Sequence, residues 1–542
     1  MIGVQSSDKF KETVIEFFEL FKTPWEFYTE NTFYDVIITT GGFPEKMNGK
    51  LIIIYNSKKL PFDSETGIIV KPSTEQKLII WRGMTCPIYS DLSLFGVENS
   101  HDSTFIVKDR KTEYTIIRIS YDVFSEIHSL LTSGQTIQYA GIPSLEIHID
   151  ILRTLIIQEN ILLIEVPPTP YGYEYMTCLT HDIDFAGIRQ HVFDHTLFGF
   201  IYRATWLTLC DFFRGKCKIG KLWKNIIAVL KLPAIFLGVC KDFWLGFDLY
   251  GEIEQDLKST YFFLPFKGES GQSQNGYDNK KRAGKYEIRD LRTHIKKIIH
   301  EKNEIGLHGI DAWYNSEKGL QESKKISEIT GQKIEGTRIH WLYYNLQSPH
   351  HISNAGLEYD STLGYNNSVG FYNGSTQVFT PLETDNFFEI PLMIQDTALF
   401  YPSRMNLNAE EAFQMCQKII AQVKKFGGVL TVNWHGRSLA PERLWNDFYR
   451  QLLNYIQTDL VWFGTCKEII TWYKKRRSVE FKSIEIIENR IVAQIDGINH
   501  WGGPGLSLNI YGLGNNDEKK HHFGSAFQQF DLQKNMTLKI PI

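Results

Sequence analysis

Asn408 to Arg437 reads NAEEAFQMCQKIIAQVKKFGGVLTVNWHGR, and this stretch carries the pattern that decides the fold. Asn408 followed three residues on by Glu411 marks a helix start, because the Asn side chain accepts from the free N–H groups of the first turn and the Glu reaches back. Ala412, Cys416, Ile419, Ile420 and Val423 then recur on one face at helical spacing. Gly427-Gly428 ends the helix. Val429-Leu430-Thr431-Val432 follows as a short apolar run of the kind buried on both faces of a parallel sheet. A helix feeding straight into such a strand is part of a β/α repeat, and the strand delivers Asn433-Trp434-His435-Gly436-Arg437 at its carboxyl end.

The same alternation extends both ways. Downstream come a helix around Leu444–Ile456, a strand Leu460-Val461-Trp462-Phe463 and a last helix from Lys467 to Lys475. Upstream, a helix with Ile288, Leu291, Ile295, Ile298 and Ile299 on one side runs into the strand Glu304-Ile305-Gly306-Leu307, and Met176-Thr177-Cys178-Leu179 opens the series. These units predict an α/β protein with a parallel β/α barrel over residues 170–478. Pro167-Pro168-Thr169-Pro170-Tyr171-Gly172 breaks regular structure before it. Residues 1–165 mix short β runs (Val36–Thr39, Leu51–Tyr55, Leu78–Trp81) with a helix near Tyr121–Leu131, which predicts an N-terminal α+β domain. Residues 479–542 return to strand alternation and predict a small C-terminal β-rich appendage, an accessory sheet or a carbohydrate-binding module.

Composition bounds the function classes. The 542 residues exceed one hydrophobic core, and 43% hydrophobic with 22% charged residues is the balance of a folded chain. Net charge is −4, so a nucleic-acid partner is not expected. Seven scattered cysteines without C-x-x-C spacing read as reduced thiols, and the amino terminus shows no basic region followed by an apolar run, so a cytoplasmic location is expected. Within the barrel, residues 195–240 read as an insertion rich in Phe, Trp, Leu and Ile. It carries Arg203, Arg214, Lys216, Lys218, Lys221, Lys224 and Lys231 against the single acid Asp211. It is either a packed helical hairpin with a solvated basic face or a segment that makes peripheral contact with an anionic membrane.

The chemistry-bearing residues sit at strand ends. Thr180-His181-Asp182-Ile183-Asp184-Phe185 places two carboxylates at the mouth of the barrel, where active sites of this architecture collect. One can ligate a divalent cation while the other serves as general base. His308 ends the strand at 304–307, Arg338 and His340 lie in Gly336-Thr337-Arg338-Ile339-His340-Trp341, and His435 follows Val429–Val432. Carboxylate and imidazole on successive parallel strands are the donors of a catalytic metal site.

These segments resemble the polysaccharide deacetylase (NodB-homology) family, carbohydrate esterase family four. The resemblance covers the barrel and, more weakly, the first 160 residues. It implies a distorted seven-stranded β/α barrel, a zinc or similar divalent ion, and metal-assisted hydrolysis of an acetyl amide on a glycan. Residue by residue it makes Asp182 the catalytic base, Asp184 a metal ligand, His308 a ligand from the second motif, and His435 the general acid. Two departures stand out. The second motif has Ala312 where a histidine is usual, and Gly370-Phe371-Tyr372-Asn373-Gly374-Ser375 has Tyr372 where an arginine is usual. Gly306-Leu307-His308 followed by Arg338-Ile339-His340, with Gly356 to Tyr365 beyond, is similar to a subfamily with an H-D-x-D first motif, and on that basis His340 is the expected replacement ligand. Arg338 is expected to orient Asp182, and Trp341, Tyr343 and Trp434 to form sugar platforms. The expected partner is a carbohydrate, with a lipid-linked glycan the form that membrane contact through 195–240 would suit. Two rivals stay open: a hydrolase of another non-peptide C–N bond, and a degenerate barrel that binds glycan or a partner without turnover, which Ala312 and Tyr372 motivate.

Overall fold

The structure is a computed structural model. It describes the chain apart from residues 42–47, 73–76, 98–102, 216, 275–279, 488–489, 497–502, 513–519, 523–524, 533–535 and 542. At its centre is a parallel sheet of strands β1 (Tyr175–Ile183), β2 (Ser259–Phe263), β3 (Glu304–Gly309), β4 (Gly336–Ile339), β5 (Tyr359–Asp360), β6 (Phe388–Glu389), β7 (Ile394–Gln395), β8 (Val429–Asn433) and β9 (Val461–Phe463). Hydrogen bonding runs β6-β5-β4-β3-β2-β1-β8-β7, with β9 beside the start of β1. The outermost strands of that path, β6 and β7, are joined by only residues 390–393, so the sheet curls until its two edges approach. The expected parallel β/α barrel is therefore present. Among the described residues it holds nine strands where the resemblance implies seven, and β5, β6 and β7, two residues each, are too short for hydrophobic alternation to register.

Local chemistry sets these elements. β1, β2 and β8 are buried along their whole length, as strands covered on both faces must be. The helix Ala409–Phe426 starts on the capping box of Asn408 and Glu411, buries Ala412, Cys416, Ile419, Ile420, Val423 and Phe426, and stops at Gly427, whose φ is 80°. The ring of Tyr359 fills the space beside Gly336, where a Cβ would lie 1.8 Å from it. That close approach lets β5 lie against β4.

Residues expected to form the α+β region build a six-stranded sheet in the order Ile106–Arg110, Thr115–Ile119, Gly49–Tyr55, Tyr34–Thr39, Ile2–Gln5, Trp25–Phe27. All pairings in it are parallel except the first, and Val123–Ser133 and Ser144–Gln158 are helical. This region holds residues 365–377 of the barrel. Gln135 donates to the Phe371 carbonyl at 2.6 Å, and Glu146 accepts from Ser375, Thr376 and Gln377. The tail is β-rich, and Leu163–Glu165 pairs antiparallel with Leu506–Tyr511 in its four-stranded sheet.

The insertion folds as helices His195–Tyr202, Thr208–Phe213 and Ile219–Phe236, the first two joined through a π-helical turn Arg203–Leu207. One side packs around Phe200, Ile235 and Trp244, while Phe198, Trp206, Phe213, Trp223 and Leu230 are exposed. Lys216 lies outside the described residues. No helix among the described residues is long and apolar enough to cross a membrane.

Candidate active site

The carboxyl ends of β1, β3, β4, β7 and β8 open on a cavity of about 810 Å³ whose floor is made of Asp182, Asp184, His308, His340 and His435. Asp184 Oδ1 lies 3.2 Å from His308 Nε2 and 3.2 Å from His340 Nδ1. One donor atom from each of the three residues falls within 4.8 Å of the others. The His308 ring turns its other nitrogen to the Arg338 carbonyl, 2.9 Å away. That bond places the proton on Nδ1 and points the Nε2 lone pair at Asp184.

The three residues fit a divalent cation. Asp184 Oδ1 is buried and meets no hydrogen-bond donor in good geometry, an arrangement that is costly without a compensating charge. Burial raises the Asp184 carboxyl, yet the surrounding imidazoles hold it well below the usual carboxylate range. Burial pushes His340 down to about 4, against the pull of Asp184, so its ring is neutral and able to ligate. One carboxylate and two imidazoles, with the cavity open beside them, are a donor set able to hold a divalent cation.

Beside this triad, Asp182 is held from three sides. Its Oδ1 accepts from Arg338 Nη1 at 3.2 Å and its Oδ2 from Asn433 Nδ2 at 2.8 Å, with His435 Nε2 3.9 Å from Oδ2. Burial pushes the Asp182 carboxyl up, but Arg338, His308 and His435 together draw it below its ordinary value, so it stays ionised. Arg338 is itself immobilised. Its Nη1 also donates to Thr180 Oγ1 at 2.7 Å, and its Nε and Nη2 donate to the carbonyl and hydroxyl of Ser361, each at 2.8 Å.

His435 bonds through Nδ1 to Asp396 Oδ1 at 2.7 Å, while its backbone N–H donates to Asp396 Oδ2 at 2.8 Å. Burial lowers this imidazole, but Asp396, Asp184 and Asp182 outweigh that and raise it to about 9. Its Nε2 faces the cavity as a charged donor.

The catalytic and metal-ligand candidates marked in the sequence therefore come together, while two of the expected sugar platforms, Trp434 and Tyr343, lie elsewhere. Trp434 has no exposed surface and stacks on Tyr449, ring centres 4.7 Å apart; a ring closed on both faces cannot hold a sugar. Tyr343 sits under the Arg282 guanidinium, 4.5 Å from its ring centre, and against Trp313, outside the cavity lining. Trp341 lines the cavity and is 40% exposed. Tyr372 packs against Tyr365 at 5.2 Å and takes no part in the cavity, so its replacement of an arginine does not touch the catalytic floor. Ala312 is fully buried, with the place of a Cβ on Gly319 only 3.0 Å from its own. A histidine would not fit there, and the neighbouring strand brings His340 Nδ1 to 3.2 Å from Asp184 Oδ1.

Asp396, Asn433, Thr180 and Ser361 were not singled out in the sequence. Asn433 and Thr180 adjoin marked residues on the same strands. Asp396 follows a two-residue strand in a run without periodicity, and no local signal pointed to it.

No protein-family model matches the chain, and no curated protein matches it. Among solved structures, the chain is similar to Puue allantoinase (13% identity, 57% of this chain and 93% of that one, TM-score 0.33). It is also similar to Agd3, a carbohydrate deacetylase (7% identity, 100% and 98%, TM-score 0.39), and to a family 4 acetyl xylan esterase from Clostridium thermocellum (12% identity, 55% and 91%, TM-score 0.23). Identities and TM-scores of this size leave the reading of the site to its own geometry.

Proposed function

We propose that this chain is a metal-dependent hydrolase that removes the acetyl group from an N-acetylated carbohydrate. The observation that carries the reading is the convergence of Asp184 Oδ1, His308 Nε2 and His340 Nδ1 within 4.8 Å, next to an ionised Asp182 and a charged His435. Asp184, His308 and His340 would hold the ion, zinc by the chemistry of the donors. When bound, the ion supplies Lewis acidity that polarises an amide carbonyl and makes a neighbouring water more acidic.

The rest falls to the chain's own side chains. Asp182, oriented by Arg338 and Asn433, takes the proton from the attacking water. His435 Nε2 gives its proton to the departing amine nitrogen, with Asp396 balancing the charge and fixing the ring. Trp341 offers a ring face to the sugar. Ala312 and Tyr372, the departures that favoured a barrel without turnover, lie off the catalytic floor, which supports the catalytic reading. A substrate on a lipid carrier would suit the insertion, whose exposed Trp206, Trp223 and Leu230 accompany basic side chains on the same helices. That exposed apolar and basic face is what supports a reading in which the insertion meets an anionic bilayer.

The test uses zinc-supplemented protein and N-acetylglucosamine oligomers. Asp182→Asn and His435→Ala should each lower turnover about 10² to 10⁴ fold with zinc content unchanged, and His340→Ala should lose the zinc itself. A His340→Ala protein that retains stoichiometric zinc and full activity would overturn the ligand assignment.

A further inference from the structure

The cavity continues outward from the catalytic floor along a wall of cations. Among the described residues nine Lys and Arg side chains line it against four carboxylates, and two of those, Asp182 and Asp184, belong to the floor. On one side Arg404 and Arg443 flank Tyr401, their guanidinium carbons 5.5 and 4.7 Å from its ring centre. Arg437 lies 4.6 Å from the ring centre of Trp244. Arg437 and Arg443 are 9% and 8% exposed.

Guanidinium groups this buried ordinarily meet a carboxylate each. Here Glu442, 3.3 Å from Arg437, is also the partner of Arg203, and Arg437 Nε meets no acceptor among the described residues. Arg443 donates to the Ser438 hydroxyl at 3.2 Å and to the Tyr401 hydroxyl. Arg404 donates to Thr397 Oγ1 at 2.7 Å and Asn366 Oδ1 at 3.5 Å. All of these are neutral acceptors. Lys221, from the insertion, donates to the Arg443 carbonyl at 3.2 Å. The mutual repulsion registers at Arg437, which burial and neighbouring Arg443 push down to about 10. Glu442 and Leu444, on either side of Arg443, hold φ of 85° and 53°, a conformation side chains seldom adopt. The segment presents Arg443 against its backbone preference.

Planar guanidinium forks match the oxygens of a tetrahedral or planar anion. Arg404, Arg437 and Arg443, with Arg203 and Lys221, set five cations on this side of the cavity against the carboxylates of Glu442 and Asp211, an excess larger than one monoanion neutralises. We propose that this wall binds a phosphoryl group carried by the sugar whose amide reaches Asp182 and His435. The proposal rests on the functional reading above. It adds that the substrate is a sugar phosphate or phosphodiester, either soluble or borne by a lipid whose apolar part meets the exposed face of the insertion.

Calorimetric titration of the zinc-loaded full chain with N-acetylglucosamine and with N-acetylglucosamine 1-phosphate tests it. The phosphate should bind at least about tenfold tighter. Arg443→Gln and Arg404→Gln should each remove most of that preference, whereas Lys297→Gln, at an exposed side chain paired with Asp248, should leave it intact. Equal affinity for the two sugars, or a preference that survives both arginine changes, overturns the proposal. Arg404 and Arg443 lie on separate segments, so one variant that fails to fold leaves the other decisive. His340→Ala should keep the phosphate preference, and its loss there, with retention in Arg443→Gln, would assign the anion to the metal and sink the wall. Failure of the functional reading is seen separately, as Arg443-dependent phosphate binding without any amide hydrolysis. Tighter binding of dodecyl phosphate than of methyl phosphate, dependent on Arg443, assigns the phosphoryl group to a lipid, and equal Arg443-dependent binding assigns it to a soluble sugar.

Discussion

His435 owes its charge to Asp396, which is fully buried and bonded to both the ring and the backbone of that residue. Asp396→Asn keeps the shape but offers a weaker partner to Nδ1, so turnover should fall about 10 to 100 fold while bound zinc stays unchanged; kinetics beside metal analysis check this. A second buried pair acts on stability. Burial raises Asp360 to about 7, and burial together with the Asp360 carboxyl lifts Glu389 well above the usual carboxylate range. A carboxyl with a raised folded value binds more protons folded than unfolded. Its contribution is therefore full below about pH 4 and is lost as pH climbs towards 7. Glu389→Gln removes one of the two raised carboxyls and should cut the stability lost from pH 4 to 7.5 by about 2 kcal/mol. Urea unfolding of both proteins across that range reads the difference, and parallel pH profiles would refute it.

At the scale of the element, the helix Ala409–Phe426 shows local sequence and tertiary packing in agreement. Asn408 accepts from the Glu411 N–H at 3.0 Å and Glu411 returns a bond to the Asn408 N–H at 3.0 Å. Asn408→Ala should cost about 1 kcal/mol, within a range of about 0.5 to 2, seen as a lower urea midpoint at unchanged slope. The short strands behave differently. β5 and β7 carry no pattern of their own and exist because the curled sheet and the N-terminal region hold them. Asp396, which depends on β7, was for that reason not legible before the fold was known.

The whole molecule joins its parts through buried polar bonds. Arg476, at the end of the last barrel helix, donates to the carbonyls of Val166 and Pro167 and to those of Glu19 and Leu20, tying the N-terminal helix Lys11–Leu20 to the barrel. On another side the insertion presents exposed Phe198, Trp206, Phe213, Trp223 and Leu230. With basic side chains near an anionic leaflet worth roughly 1 kcal/mol each, the protein should sediment with vesicles containing anionic lipid and be released by salt. Replacing Trp206, Trp223 and Leu230 with Ser should abolish sedimentation; equal pelleting of both proteins, or none by the parent at low salt, would leave the insertion as packing alone.

The sequence by itself determined the β/α repeat and the acids and histidines at strand ends, because helical spacing, caps and buried strands are written within a few residues of one another. It also marked His340, through the resemblance of Arg338-Ile339-His340 to a family motif, and the end of β4 carries that residue to the same mouth as His308. Tertiary structure alone decided which marked side chains meet. The closing of the sheet brought Asp396 to His435 and Asn433 to Asp182 and gathered Arg404, Arg437 and Arg443 on one wall. It also buried Trp434 against Tyr449, because the face a side chain turns to water depends on partners distant in the chain, and no local pattern carries that information.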